Sequence, residues 1–367
     1  MMNKMVVANL VHRPTRSFIA ASAIALEVVM ILMVVALFYG LLNGSKESQL
    51  GTGADLMVMP PGASSIIGLS GAPIPIKVGD KLRQVPHVAS AVPAVWWFTS
   101  KPIEIIYGID VASYDTLPPK FRYLSGGPFQ GPYDVIVDDY FADMNHKKVG
   151  DTIDILSHDF RISGIVPHGK GCRKCLPLET LQDLVSAQGH ASVFYVKVDD
   201  PANADQVEKA IEAIPGMEKY SVRSMPEFLS TMTPDNLPGF DLAIKIVIGV
   251  AVVVGFLVIF QSMYTAVMER TREIGILKSL GASKWYIVNV VLRETVLLAV
   301  VGIVAGILIS LATRHAIMFE KPVLRLFWSN EWVLRASVIA VVGALAGALY
   351  PALKAAQRDP IDALAYE

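Results

Sequence analysis

The sequence predicts a polytopic α-helical membrane protein with four transmembrane helices. A large mixed α+β extracytoplasmic (periplasmic) domain is expected between the first and second spans. Three observations lead there. The 367-residue chain is 53% hydrophobic and only 18% charged, with a mean hydropathy of +0.47. Its apolar residues gather in four runs, each long enough to cross ~30 Å of hydrocarbon, which takes about 20 residues. Between the first two runs lie about 200 residues, enough for one large domain or two small ones.

The first run covers 18–42 and is interrupted only by Glu27. Residues 1–17 carry Lys4, Arg13 and Arg16, which are expected to keep the N-terminus in the cytoplasm. The run is too long for a secretory signal core and no small-x-small site closes it, so an uncleaved anchor is expected. Spans follow at 242–268, with Lys245 near its start, at 287–312, with Arg293 and Glu294 in its first turns, and at 332–353. An external loop at 313–331 and a cytoplasmic tail at 354–367 complete the layout. Basic residues before the first span and in Arg270, Arg272, Lys278 and Lys284 place those segments in the cytoplasm. Arg314, Lys321 and Arg325 run against that bias.

The block 43–241 alternates strand-like and helix-like segments. Asp55–Met59, Val88–Trp97, Ile103–Ile109, Thr152–Leu156, Phe160–Val166 and Val193–Val198 are β-branched and bounded or alternating. Lys77–Gln84, Leu178–Ala187 and Asn203–Ile214 read as helices, the last with Pro201 before it and Pro215 after it. The Gly- and Pro-rich stretch Pro60–Pro75 is a loop, and a boundary falls at Met232–Gly239. The loop and the pair Trp96-Trp97 offer contacts for a lipid, peptide or partner, or else simply pack.

Between the second and third spans, 269–286 is more than a turn. Ile274, Leu277 and Leu280 recur three apart and give one apolar stripe, while Arg270, Glu273 and Lys278 point elsewhere. Gly281 stands at a helix stop and Ser283 at the cap of the next helix. Two readings are open: a short helix that lies along the membrane face and presses on a partner, or a solvated linker.

The segment Glu269-Arg-Thr-Arg-Glu-Ile-Gly-Ile-Leu-Lys-Ser-Leu-Gly-Ala282, followed by Lys284-Trp-Tyr-Ile-Val and Arg293-Glu294, resembles the signature of FtsX/MacB-type permeases. The C-terminal Tyr350-Pro-Ala-Leu-Lys-Ala-Ala-Gln-Arg-Asp-Pro-Ile-Asp-Ala-Leu364 resembles that family's ending. The layout of one span, a large external domain and three spans matches too, and the resemblance implies a MacB-like periplasmic core domain at 43–241 and an FtsX-like permease domain at 242–360. The resemblance implies the permease subunit of an ABC transporter in the bacterial inner membrane. It implies a homodimer with two copies of an ABC ATPase that binds ATP and Mg, leaving this chain without a cofactor or catalytic residues. Its task would be mechanotransmission: ATP hydrolysis in the partner drives export or extraction of a hydrophobic or periplasmic substrate, with a periplasmic adaptor as a further partner. An FtsX-like signalling subunit that activates a periplasmic enzyme is the alternative. Carried over residue by residue, Glu269, Arg270, Arg272, Glu273, Ile274, Gly275, Leu277, Lys278, Leu280 and Gly281 would form the ATPase-coupling helix, and residues 1–17 would lie on the cytoplasmic membrane surface as an interfacial helix.

No G-x-x-x-x-G-K-[ST] phosphate loop occurs, and no catalytic, nucleic-acid-binding or metal-ligating pattern stands out. Cys172-Arg-Lys-Cys175 is the only cysteine pair. It could close a disulfide, stay as thiols, or serve metal or redox chemistry, with nearby His168 a weak ligand. Glu27 lies in a span, where a carboxylate is costly. It is either functional, facing a dimer interface or polar cavity, or held neutral or paired with Lys245 or Ser22. The pairs Gly302/Gly306 and Gly343/Gly347 have the spacing that lets membrane helices approach closely, although glycine is common in such helices.

Overall fold

A computed structural model describes residues 14–61, 73–100, 103–171, 173–236, 239–320 and 325–357. The N-terminal surface segment up to residue 13, most of the 60–75 loop, Cys172 and the end of the C-terminal motif from Arg358 lie outside the described residues. The chain forms two compact units. One takes the chain up to Gly40 and the described residues from Gly239 onward; the other is Leu41–Pro238.

Helix α1, Pro14–Leu50, contributes to both. Its 37 residues make a rod of about 55 Å at ~1.5 Å per residue. It begins four residues before the apolar run and ends eight after it, through Asn43-Gly-Ser-Lys-Glu-Ser-Gln-Leu50. Hydropathy marks where hydrocarbon-compatible side chains stop, and i→i−4 bonding has no reason to stop there.

The Leu41–Pro238 unit follows in the order β1 (Leu56–Met59), β2 (Ile74–Pro75), α2 (Val78–Arg83), β3 (Val88–Ser100), β4 (Ile103–Ile109), α3 (Val111–Tyr114), β5 (Ser125–Gly126), β6 (Asp134–Asp138) and α4 (Asp139–Met144). Then come β7 (Thr152–Ile155), β8 (His158–Val166), β9 (Lys174–Pro177), α5 (Leu178–Leu184), β10 (His190–Ala191), β11 (Val193–Val198), α6 (Ala204–Glu212), β12 (Ser221–Ser224) and α7 (Met225–Thr231). The main sheet runs β12-β1-β11-β3-β4-β9-β6-β8-β5, with β7 on β8. Among the described strands, only β4/β9 and β6/β8 pair in parallel. Two apolar cores lie along it. One holds Leu56, Val58, Phe194 and Val196 with Val207 and Ile211 of α6; the other holds Val95, Ile106, Val135, Val137, Phe160 and Leu181. Strand β3 is long enough to supply Ala91 to the first and Val95 to the second. Trp96 is buried edge-on to Tyr107 and Trp97 is half-buried, so Trp96 packs.

Strands β6, β9 and β12 and helices α4 and α7 are absent from the sequence expectation. The reason is visible in β6, which is wholly buried yet bracketed by aspartates. Asp134 accepts from the backbone N–H groups of Gln130 (2.6 Å) and Gly131 (3.0 Å), and Asp138 caps α4 by accepting from Phe141 N (2.7 Å). Such residues read as loop in a sequence because they serve the turns that flank the strand.

The end of α1 is fixed inside this unit. The Tyr195 hydroxyl donates to Gln49 Oε1 (3.2 Å) in a buried setting. Gly51 lies so close to the Gly169 carbonyl that any Cβ would overlap it. Lys170, also buried, donates to the carbonyls of Leu117 (3.3 Å) and Thr52 (3.5 Å). Its ammonium sits 5.6 Å and 5.9 Å from the centroids of the stacked Tyr114 and Phe121 rings. Burial pulls the Lys170 pKa down to about 8, against a smaller opposing pull from Asp115. Cys175, buried in β9, is disulfide-bonded.

The other unit is built from α1 to Gly40, α8 (Phe240–Glu269), α9 (Thr271–Ser279), α10 (Lys284–Glu320) and α11 (Asn330–Gln357). Helices α1, α8, α10 and α11 are each long and apolar enough to cross a membrane. Helix α10 continues to Glu320, through the first part of the stretch expected as an external loop. Their shared core joins Ile24, Val28 and Ile31 to Ile259, Ala299, Ile303, Ala340 and Ala344. Outward positions such as Leu242, Val253, Val301 and Leu308 are more than half exposed or nearly so, as lipid-facing residues are. Glycines set the spacing. A Cβ on Gly302 would come within 2.7 Å of the Ala21 carbonyl, one on Gly306 within 2.8 Å of the Ala25 carbonyl, and one on Gly347 within 2.8 Å of the Phe256 carbonyl. Gly343 differs, since what it spaces is the carboxyl of Glu27 at 3.7 Å.

Candidate coupling site

Helix α9 is nine residues long. Its start follows a break at Arg270 (φ −107°, ψ 17°), which leaves the α8 helix. Its end is a Schellman motif: Gly281 adopts φ +93°, its N–H donates to Lys278 O (3.0 Å), and Ala282 N–H donates to Leu277 O (3.0 Å). Ser283 then caps α10, its hydroxyl accepting from Tyr286 N (3.2 Å).

The apolar stripe splits. Ile274 and Leu277 pack inward on Val267, Ile287, Val288, Ala352, Ala355 and Ala356 of this chain's own α8, α10 and α11. Leu280 is 80% exposed and Ile276 is 41% exposed. Two of the three stripe residues, Ile274 and Leu277, thus seat α9 on this chain's own helices, and Leu280 faces outward. Arg272, Glu273, Ile276, Ser279 and Leu280 make its outward side, while Gly275 is buried. Lys278 ties the helix down, donating from Nζ to the Ala356 carbonyl (3.0 Å) near the end of α11.

At the foot of α9, four charged residues from three membrane helices and the α8–α9 break meet. Glu294, 3% exposed on α10, faces two guanidinium groups: Arg270 Nη1 at 3.0 Å from Oε2 and Arg16 Nη2 at 3.5 Å from Oε1. Arg16 also reaches Glu269 Oε2 at 3.2 Å. Sequence reasoning used Arg16 only as a topology signal and Glu294 only as a motif residue. The missed clue was a carboxylate within an apolar span, which demands a partner. Beside this cluster a cavity of about 50 Å³ is lined by Arg270, Glu273, Glu294 and the inner side of α9.

Glu27 lies deeper in α1 and is buried. Its carboxyl fills the space left by the missing side chain of Gly255 on α8, and its Oε1 has no hydrogen-bond partner among the described residues. Lys245 pairs with Asp241 (2.7 Å) one turn earlier on α8. Among the described residues no group of three or more His, Cys, Asp or Glu could hold a metal ion. His168 instead stacks on Tyr140, with Nδ1 3.1 Å from Asp139.

The class that this fold defines is a membrane protein: four helices able to cross a membrane, a mixed α/β domain after the first, and a short helix between the second and third. The sequence matches the MacB-like periplasmic core domain over residues 17–214 and the FtsX-like permease C-terminal domain over residues 245–360. The chain belongs to the FtsX/MacB-type family of ABC transporter permeases. The macrolide export ATP-binding/permease protein MacB of Chromobacterium violaceum is 32% identical over 204 residues, covering 54% of this chain and 31% of that protein. MacB of Nitrobacter winogradskyi is 24% identical over 391 residues, covering 98% of this chain and 59% of that protein. This chain thus spans less than two thirds of either relative. Among solved structures, the periplasmic region of MacB from Actinobacillus actinomycetemcomitans is similar at 17% identity and a TM-score of 0.38, covering 52% of this chain and 97% of that one.

Proposed function

We propose that this chain is the non-catalytic permease subunit of a MacB-type transporter of the bacterial inner membrane. It works as a homodimer with two copies of a separate ABC ATPase, which binds ATP and Mg. Hydrolysis there moves α1 and the extracytoplasmic domain to export or extract a hydrophobic or periplasmic substrate, with a periplasmic adaptor as a further partner. Lys170, Gln49 and the disulfide of Cys175 then act in the moving domain as structural members.

One observation carries this reading. Helix α9 is seated by Ile274, Leu277 and Lys278, yet leaves Ile276 and Leu280 exposed beside Arg272 and Glu273. An apolar pair rimmed by charge on a firmly held helix suits a groove on a partner subunit. The test is pull-down of a co-expressed ABC ATPase from the same genome. Leu280→Glu should abolish recovery at unchanged permease folding, because a lone carboxylate in an apolar contact costs several kcal/mol. Leu277→Glu should instead unseat α9 and lower the thermal midpoint of the permease alone. Equal recovery with wild type and Leu280→Glu would remove the outward face of α9 from the interface.

A further inference from the structure

We propose that Glu294 is a positioning residue for coupling, the joint through which a displacement of α9 becomes a displacement of α1. This rests on the reading that α9 receives the ATPase. Three observations point to it. The two oxygens of one buried carboxylate are shared between guanidinium groups from different elements, Arg270 at the α8–α9 break and Arg16 in the first turn of α1. Arg16 is itself bridged back to Glu269, the last residue of α8, so the connection closes on itself. Beneath the inner side of α9, the cavity of about 50 Å³ reaches Arg270, Glu273 and Glu294, which gives the foot of α9 room to shift.

The chemistry suits a joint better than a weld. Guanidinium groups hold a carboxylate through several equivalent N–H donors, so the pair can rotate and re-form its hydrogen bonds without passing through an unpaired state. Apolar packing would have to come apart before it could re-form, because close-packed contacts are lost over fractions of an ångström. With Arg16 14% exposed and Arg270 12% exposed at the side chain, the cluster sits where water can assist such exchange while Glu294 stays covered. Neither arginine belongs to the outward side of α9, which separates this role from docking.

The test uses the full-length chain in lipid nanodiscs, with Cys172 and Cys175 replaced by alanine and nitroxide labels at Phe18→Cys on α1 and Ser279→Cys on α9. A control pair at Val301→Cys and Val338→Cys reports on α10 and α11. Pulsed dipolar spectroscopy measures both distances, alone and with the ATPase and ATP. Glu294→Gln should keep ATPase recovery in pull-down and leave the control distance sharp. It should broaden the 18–279 distance and abolish its ATP-dependent shift. An 18–279 distance as sharp in Glu294→Gln as in the parent overturns the joint. Equal broadening of the control pair also overturns it, because that marks general loosening. If the wild-type chain recovers no ATPase, the proposed function fails, and the distances measured without ATPase still decide the joint.

Discussion

The two ends of α1 are held by different physics. At Arg16 the helix is held by charge: two carboxylates, one buried and one 41% exposed, share one guanidinium. At Gln49 it is held by a neutral hydrogen bond to Tyr195 and by a backbone approach at Gly51 that tolerates no side chain. Ionic contacts at a solvent boundary are individually cheap to exchange. Buried neutral hydrogen bonds among close-packed rings are not, because breaking one leaves a buried group unsatisfied. One end is therefore built to pivot and the other to be gripped.

The largest expected effect tests the gripped end. Gly51→Leu forces a side chain into the Gly169 carbonyl and should destabilise the Leu41–Pro238 unit by about 3 kcal/mol or more, as backbone rather than a flexible tip must move. Chemical unfolding of the full chain followed by tryptophan fluorescence reads this, and an unchanged midpoint would break the comparison at its firmer side.

A smaller effect sharpens the same side through pH. The folded-state pKa of Lys170 is about 8, against 10.5 for an exposed lysine. Between those values the folded chain has released a proton that the unfolded chain keeps, so stability should rise from pH 8 toward 10. The rise should be about 2 kcal/mol. Above pH 10 the trend should reverse, because burial raises the hydroxyl pKa values of Tyr107, Tyr114 and Tyr195 while their unfolded counterparts ionise. Lys170→Met should abolish the rise and keep the fall. A wild-type profile flat between pH 8 and 10 would remove the buried-lysine account.

The smallest effect belongs to the pivoting end. Glu269→Gln removes the more exposed carboxylate and should cost under ~1 kcal/mol, with the difference vanishing in molar salt. A larger loss that survives salt would mean that this end is gripped as firmly as the other.

Much of this was legible in the sequence. The four spans, the strands at Ile103–Ile109 and Val193–Val198, and the stop at Gly281 followed from hydropathy, alternation and glycine placement. The two sides of α9 could not be told apart, because periodicity identifies an apolar stripe without naming what covers it. The helix's own membrane neighbours and a partner's groove are both apolar. Strand β9 hid for another reason: Lys174-Cys-Leu-Pro177 lacks a strand's composition, and Lys174 is buried against Glu104 at 2.7 Å and the Phe141 ring at 4.6 Å, both distant in sequence. The Arg16–Glu294–Arg270 cluster spans 278 positions of sequence, a separation no local pattern reveals.

An unbroken α1 also carries rotational phase. Each residue added to an α-helix turns everything beyond it by about 100°. A single alanine inserted between Ser17 and Phe18 would keep Ile24, Val28 and Ile31 in their core and turn Arg16 about 100° away from Glu294. The stretch of α1 between these two contacts is thus not free to change by one residue, as two gears on one shaft must stay meshed.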